Sequence, residues 1–245
     1  MQVPEMTALA ARLECENGSV RNEYDGASAA PLAPTIDGVR IDWMVFDLGN
    51  VVLYQTDAFP ELARRIGAAP TVSADEFRSA YNAPRRGYDL DSDQGKYWGL
   101  VASASGAPPP DARTIADLTD ADLAMWSRTD PAIIAMFSAL REAGIRLAVL
   151  SNAPTAMRGH VRRQQWAHLF EKVVISGEIN LLKPDAAIYR YLLRELATPA
   201  NRVAFADDLA ENIDGANAAG IRGILFRGPT ALRADLVNLG VPFES

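Results

Sequence analysis

From residue 130 onward the sequence alternates between short apolar runs and amphipathic stretches, and this constrains the fold more than any other feature. Asp130-Pro131 supplies an N-cap and a proline suited to a first helical turn. Ile133, Ile134, Met136, Phe137 and Leu140 make the stripe of a helix that stops at Gly144. A strand over 145–150 follows, then Ser151-Asn152 and a helix to about residue 170, then a strand over 172–176. Lys183-Pro184 opens a helix with Ile188, Tyr191, Leu192 and Leu196 inward. A strand over 202–206 runs into Asp207-Asp208 and a helix ending at Gly220. The last clear strand is 223–226, and Pro229 starts a terminal helix. Apolar strands alternating with helices predict an α/β fold, a doubly wound parallel sheet covered on both faces.

The same sheet needs a strand at 41–46, where Trp43-Met44-Val45-Phe46 leads straight into Asp47 and a Gly49-Asn50 turn. A carboxylate at the exit of a buried strand is costly without a cation or a hydrogen-bond cradle. In doubly wound sheets, ligands gather at the carboxyl ends of the strands. Asp47, Ser151 and Asp207-Asp208 all stand just past predicted strand ends, so the fold brings them to one rim.

That rim carries three carboxylates, a hydroxyl beside an amide, and a lysine. Magnesium takes one or two protein carboxylates and leaves its other positions to water and phosphate. Ser151 and Lys183 suit the oxygens of a transferring phosphoryl group, as donor and point charge. An aspartate can itself attack phosphorus and split hydrolysis into two steps. Taken singly, each residue has a plainer reading. Asp207 or Asp208 suits an N-cap, Ser151-Asn152 a turn, and Lys183 the surface.

Residues 54–130 show helical spacing and no strand signal. Phe59, Leu62, Ala63 and Ile66 stop at Gly67. Segments 75–81, around 98–101 and 115–126 read as further helices, with a break at Pro108-Pro109-Pro110. So long an excursion predicts an inserted helical subdomain. Arg85, Arg86, Tyr88, Tyr97 and Trp98 are its candidates for substrate contact, although Tyr97 and Trp98 equally suit a small core. His160 and His168 are expected at the surface. Residues 1–38, rich in Ala, Pro and Ser toward their end, read as a disordered or extended tail. The core is then 39–53 plus 131–245.

A net charge of −7 argues against nucleic acid as a partner. Cys15 is the only cysteine, no apolar run reaches membrane-spanning length, and the N-terminal stretch lacks a signal-peptide core. The expectation is a soluble cytoplasmic protein, monomer or homodimer, with no membrane partner.

Aspartate after an apolar strand, Ser-Asn after a second, Lys-Pro before a helix, and Asp-Asp after a later strand resemble the four motifs of the haloacid dehalogenase (HAD) superfamily. The resemblance covers about residues 40–228, with the helical insertion similar to that family's cap on its Rossmann-like core. Phe46-Asp47-Leu48-Gly49-Asn50-Val51 and 205–213 look closest to bacterial sugar-phosphate phosphatases of the α-D-glucose-1-phosphate phosphatase type. The resemblance implies an Mg2+-dependent phosphatase acting on a small phosphorylated metabolite through an aspartyl-phosphate. Asp47 would be nucleophile and metal ligand, with the Gly49 carbonyl, Asp208 and Asp207 completing the protein's share of the metal site. Ser151, Asn152 and Lys183 would hold the phosphoryl group, Asn212 would buttress the site, and Arg85 and Tyr97 would contact substrate. The departure is Gly49, where most phosphatases of the family carry an acid–base aspartate. Water or a cap carboxylate such as Asp57 is the expected substitute; a catalytically impaired binder of phosphate ligands is the alternative reading.

Overall fold

The computed structural model describes residues 35–36, 39–238 and 241. The N-terminal tail lies outside the described residues, apart from Thr35–Ile36. The strands are β1 (Thr35–Ile36), β2 (Val39–Arg40), β3 (Trp43–Phe46), β4 (Tyr54–Gln55), β5 (Trp126–Arg128), β6 (Arg146–Ser151), β7 (Lys172–Ile175), β8 (Val203–Asp207) and β9 (Arg222–Leu225). The helices are α1 (Phe59–Ile66), α2 (Ala74–Asn82), α3 (Arg85–Asp91), α4 (Gln94–Ala104), α5 (Ala112–Met125), α6 (Pro131–Glu142), α7 (Ala156–Arg162), α8 (Ser176–Ile179), α9 (Ala186–Leu196), α10 (Ala210–Ala218) and α11 (Pro229–Asn238).

Five strands form one parallel sheet in the order β7-β6-β3-β8-β9. Successive side chains of a strand point to opposite faces. Met44 and Phe46 therefore enter one apolar cluster, with Leu147, Val149, Phe137, Leu140 and Leu232. Trp43 and Val45 enter the other, with Leu150, Phe205, Ile188 and Leu192. Both faces are covered, which is why these strands read as unbroken apolar runs. Central β3 has β6 on one side and β8 on the other, so the chain reverses its direction of winding there. A crevice opens at such a switch point, beyond the strands' carboxyl ends.

Local chemistry sets the helix ends. The Asp130 side chain accepts from the Ala132 amide at 2.9 Å, and α6 is followed by Gly144 in the left-handed region. Two details differ from expectation. Tyr189, not Tyr191, is the fully buried tyrosine of α9. The helix expected to reach residue 170 ends at Arg162, with a short 3-10 turn at Ala167–Leu169.

Helices α1 to α5 surround their own apolar cluster of Phe59, Phe77, Tyr81, Tyr97, Trp98 and Leu118. The expectation of no strand within 54–130 is corrected. Tyr54–Gln55 and Trp126–Arg128 pair antiparallel and tie the two ends of the insertion together. Two-residue and three-residue strands are too short to show alternation. Helix α3 also went unread, because Arg85-Arg86-Gly87-Tyr88-Asp89 carries almost no apolar periodicity.

Candidate active site

β3 delivers Asp47 to the rim, and β8 ends on Asp207, with Asp208 next to it. Carboxylate oxygens of Asp47, Asp207 and Asp208 lie within 4.8 Å of one another. Lys183, 1% exposed, bridges the first two: its Nζ is 2.8 Å from Asp47 Oδ1 and 2.6 Å from Asp207 Oδ2. Burial works against the ammonium charge, but the two carboxylates outweigh it and hold its pKa above the ordinary lysine value. Burial also raises the Asp47 carboxyl, against the pull of Lys183 and with help from Asp207. Asp208 is raised chiefly by burial, and Asp207 adds to the effect.

Supporting bonds fix these groups. Asn212 Nδ2 donates to both oxygens of Asp207, at 2.9 and 3.1 Å, and the Leu209 amide donates to Oδ1 at 2.9 Å. Asn50 Nδ2 donates to Asp208 Oδ2 at 3.1 Å. Asn152 grips the backbone of Lys183 twice: its Oδ1 accepts from the Lys183 amide at 2.9 Å, and its Nδ2 donates to the carbonyl at 3.0 Å. The structure thus ties Asn152 to the lysine loop as well as to the cavity.

One buried cation faces three carboxylates here, and crowded carboxylates resist ionising together without a further positive charge. The donor set is all oxygen, which suits a hard cation such as magnesium. Asp207 is saturated by Lys183, Asn212 and the Leu209 amide. Asp47 and Asp208 are therefore the side chains best placed to hold a metal, where it would neutralise charge and polarise a phosphoryl oxygen.

A cavity of about 310 Å³ opens beside this cluster. Gly49, Ser151, Asn152, Arg85, Arg86 and Asp89 line it, as do Leu48, Leu53, Trp126, Met157, Leu182 and Leu209. Its size suits a small ligand. A Cβ added at Gly49 would stand 3.5 Å from Cη2 and Cζ3 of Trp126, an ordinary van der Waals contact with the indole.

The structure places the other sequence-derived candidates differently. Tyr97 is buried in the insertion's core, stacked on Tyr88 at 4.3 Å and donating to the Tyr81 carbonyl at 3.0 Å. Tyr88 and Trp98 are buried with it, and none of the three lines the cavity. Arg85 does line it, but is held by Asp89 at 3.1 Å, by Asp122 at 3.0 Å and by Tyr81 at 2.7 Å. Asp57 has a side chain 76% exposed, 4.0 Å from Arg78, and lies in a separate depression. His160 is buried rather than on the surface, with Nε2 2.7 Å from the Trp126 carbonyl; His168 is exposed. Sequence reasoning missed Asp89 and Trp126. Neither sits in a motif, and each reaches the cavity only through packing.

A family model for haloacid dehalogenase-like hydrolases matches residues 41–220. The chain belongs to that family. It is 38% identical over 77 residues to a drimenol cyclase of Aspergillus calidoustus, covering 31% of this chain and 15% of that one. It is 26% identical over 113 residues to a sesquiterpene phosphatase of Aspergillus oryzae, covering 46% of this chain and 58% of that one. Against a glyceraldehyde 3-phosphate phosphatase of Methanopyrus kandleri the identity is 28% over 197 residues, 75% of this chain and 83% of that one. The chain spans only 15% and 58% of the lengths of the first two relatives.

The fold is shared with an L-2-haloacid dehalogenase from Xanthobacter autotrophicus carrying covalently bound chloropropionic acid. That match has a TM-score of 0.62 and 18% identity, over 83% of this chain and 85% of that one. It is also shared with a HAD family enzyme from Bacteroides thetaiotaomicron in complex with magnesium and inorganic phosphate, at a TM-score of 0.56 and 16% identity, over 76% and 93%. Among the described residues, no helix is long and apolar enough to cross a membrane.

Proposed function

We propose that this chain is a magnesium-dependent phosphatase that hydrolyses a small phosphorylated metabolite through an aspartyl-phosphate on Asp47. One observation carries the reading: three carboxylates and a buried lysine converge at the strand ends, beside a cavity of small-ligand size. Magnesium and phosphate held together by a relative of the same fold support it, as do relatives named as phosphatases. Asp47 would attack phosphorus in line. Lys183 would hold Asp47 ionised and offset charge on the transferring oxygens, and Ser151 would donate to one of them. The metal, when bound, would supply further charge neutralisation at the phosphoryl group.

Two readings of the organic group compete. The resemblance to the α-D-glucose-1-phosphate phosphatase type points to a sugar phosphate. The cavity favours a less polar molecule, since Leu48, Leu53, Trp126, Met157, Leu182 and Leu209 offer a sugar's hydroxyls few partners. A phosphate-release screen with magnesium, spanning sugar phosphates and apolar alkyl or prenyl phosphates, separates them. Wild type should turn over members of one class, and Asp47→Asn should fall to background on the same substrates. Equal turnover by Asp47→Asn, or no turnover of any phosphate, defeats the reading and leaves the ligand-binding alternative.

A further inference from the structure

We propose that Asp89, on helix α3 of the cap, is the general acid that protonates the leaving oxygen, in place of the side chain that position 49 lacks. This rests on the phosphatase reading above and adds a residue that no motif supplies.

The first argument is what position 49 lacks. Glycine offers no acid there, and the Trp126 indole stands at ordinary contact distance, 3.5 Å, from where a Cβ would be. The second is the cavity's own inventory. Beside Gly49, Ser151 and Asn152 its ionisable lining is Arg85, Arg86, Asp89 and Glu211. Arginines do not release protons at working pH, and Glu211 is exposed. Asp89, 8% exposed, is the buried carboxylate among them.

The third argument is that Asp89 is held in place from the core side. Its carbonyl accepts from Ser176 Oγ at 2.6 Å, and the Leu90 carbonyl accepts from Asn180 Nδ2 at 3.0 Å. The Thr155 amide donates to Ser92 Oγ at 2.9 Å, just past the same helix. Glycine at 177 permits this approach, since a Cβ there would fall 2.2 Å from Ser92 Oγ. The side chain is oriented too. Oδ1 accepts from Arg85 Nε at 3.1 Å, and among the described residues no donor bonds Oδ2, which is left for substrate.

A general acid must hold a proton near working pH. Burial pushes the Asp89 carboxyl up to about 6, with Arg85 opposing and Asp122 and Asp47 adding to the rise. Tyr81 of α2 and Tyr97 of α4 complete the group around Arg85, and Glu178 of α8 is occupied by Arg158. In the first half-reaction an Asp47 oxygen bonds to phosphorus as the bond to the leaving oxygen breaks, and the Asp89 proton passes to that oxygen. In the second, the Asp89 carboxylate takes a proton from water as the water oxygen bonds to phosphorus. Inorganic phosphate departs and the Asp47 carboxylate is restored.

The test is first-turnover kinetics of wild type and Asp89→Asn on two substrates: p-nitrophenyl phosphate, and an alkyl phosphate that the wild type hydrolyses. An alkoxide needs protonation and nitrophenolate does not. The variant should lose about 10²–10⁴-fold on the alkyl phosphate and less than about tenfold on the aryl ester. Retained aryl turnover shows at the same time that the variant is folded. The wild-type rate on the alkyl phosphate should also fall as pH rises above about 6, and the variant should lack that limb. Equal loss on both substrates, or no loss on the alkyl phosphate, overturns the assignment of Asp89. Turnover of neither substrate by the wild type overturns the phosphatase reading and Asp89 with it.

Discussion

At the rim of the sheet Lys183 sits between Asp47 and Asp207, and inside the cap Arg85 sits between Asp89 and Asp122. Both arrangements place one cation between two carboxylates away from water. They differ in what lies beyond. At the rim Asp208 brings a third carboxylate, and the fixed dipoles of Asn212 and the Leu209 amide add no formal charge. In the cap Tyr81 donates to Asp122, and Arg85 is flanked by the faces of Tyr81, Tyr88 and Tyr97 at 5.5 to 5.8 Å from the ring centres. The cap cluster can relax by keeping a proton on Asp89. The rim, with its extra carboxylate, asks for a cation. A buried ion pair is weak evidence of stability in itself; what these two clusters leave unbalanced points to function.

The comparison breaks most visibly when each cation is removed. Lys183→Met and Arg85→Met should each cost about 3–5 kcal/mol, because the carboxylates left behind are buried and unpaired. Denaturant unfolding with and without magnesium then separates them. Magnesium should restore part of the loss in Lys183→Met and none in Arg85→Met. Rescue of both, or of neither, would mean that the rim is not the cation site.

A smaller effect sharpens the cap side. Burial pushes the Asp89 carboxyl up to about 6 in the folded protein, against about 3.9 in an unfolded chain. A carboxyl raised by folding favours the folded state below both values, and that advantage is lost as pH rises through the folded value. Between pH 3 and pH 7 the magnesium-free wild type should therefore lose about 3 kcal/mol relative to Asp89→Asn, with little further relative change above. Unfolding curves of the two proteins across that range measure it. Parallel curves would mean that Asp89 stays ionised when folded.

The smallest effect concerns Gly49. A Cβ at position 49 meets the Trp126 indole at ordinary contact distance, so Gly49→Asp should cost about 1 kcal/mol or less. With Asp89 as the acid, it should change the wild-type rate on alkyl phosphates little and partly rescue Asp89→Asn. A large rate gain from Gly49→Asp in the wild type would show that the acid was merely missing.

Much of the sheet was legible because a parallel strand covered on both faces must be apolar throughout, and a helix on such a sheet must repeat its apolar residues every three or four positions. The segments at 43–47, 146–152 and 203–208 carry that signal together with their polar ends. Strand order then brings those ends to one rim. The cap was legible as helices but not as a surface. Tyr88, Tyr97 and Trp98 have the composition of a binding face and the positions of a core, and periodicity identifies a helix's apolar side without saying what covers it. His160 looked solvated beside its arginines, yet it meets the Trp126 carbonyl from a different part of the chain.

The sequence by itself determined the α/β class and the residues that end each strand, since both follow from local patterning and the fixed geometry of a parallel sheet. Only the tertiary structure decided which side chains face the cavity. Trp126 reaches Gly49 from 77 residues away, and Asp89 is held there by Ser176 from 87 residues away. Contacts at such separation leave no periodic trace in the chain. They depend on how the cap closes over the rim, and so the open position at Gly49 could be read from sequence while the group that answers it could not.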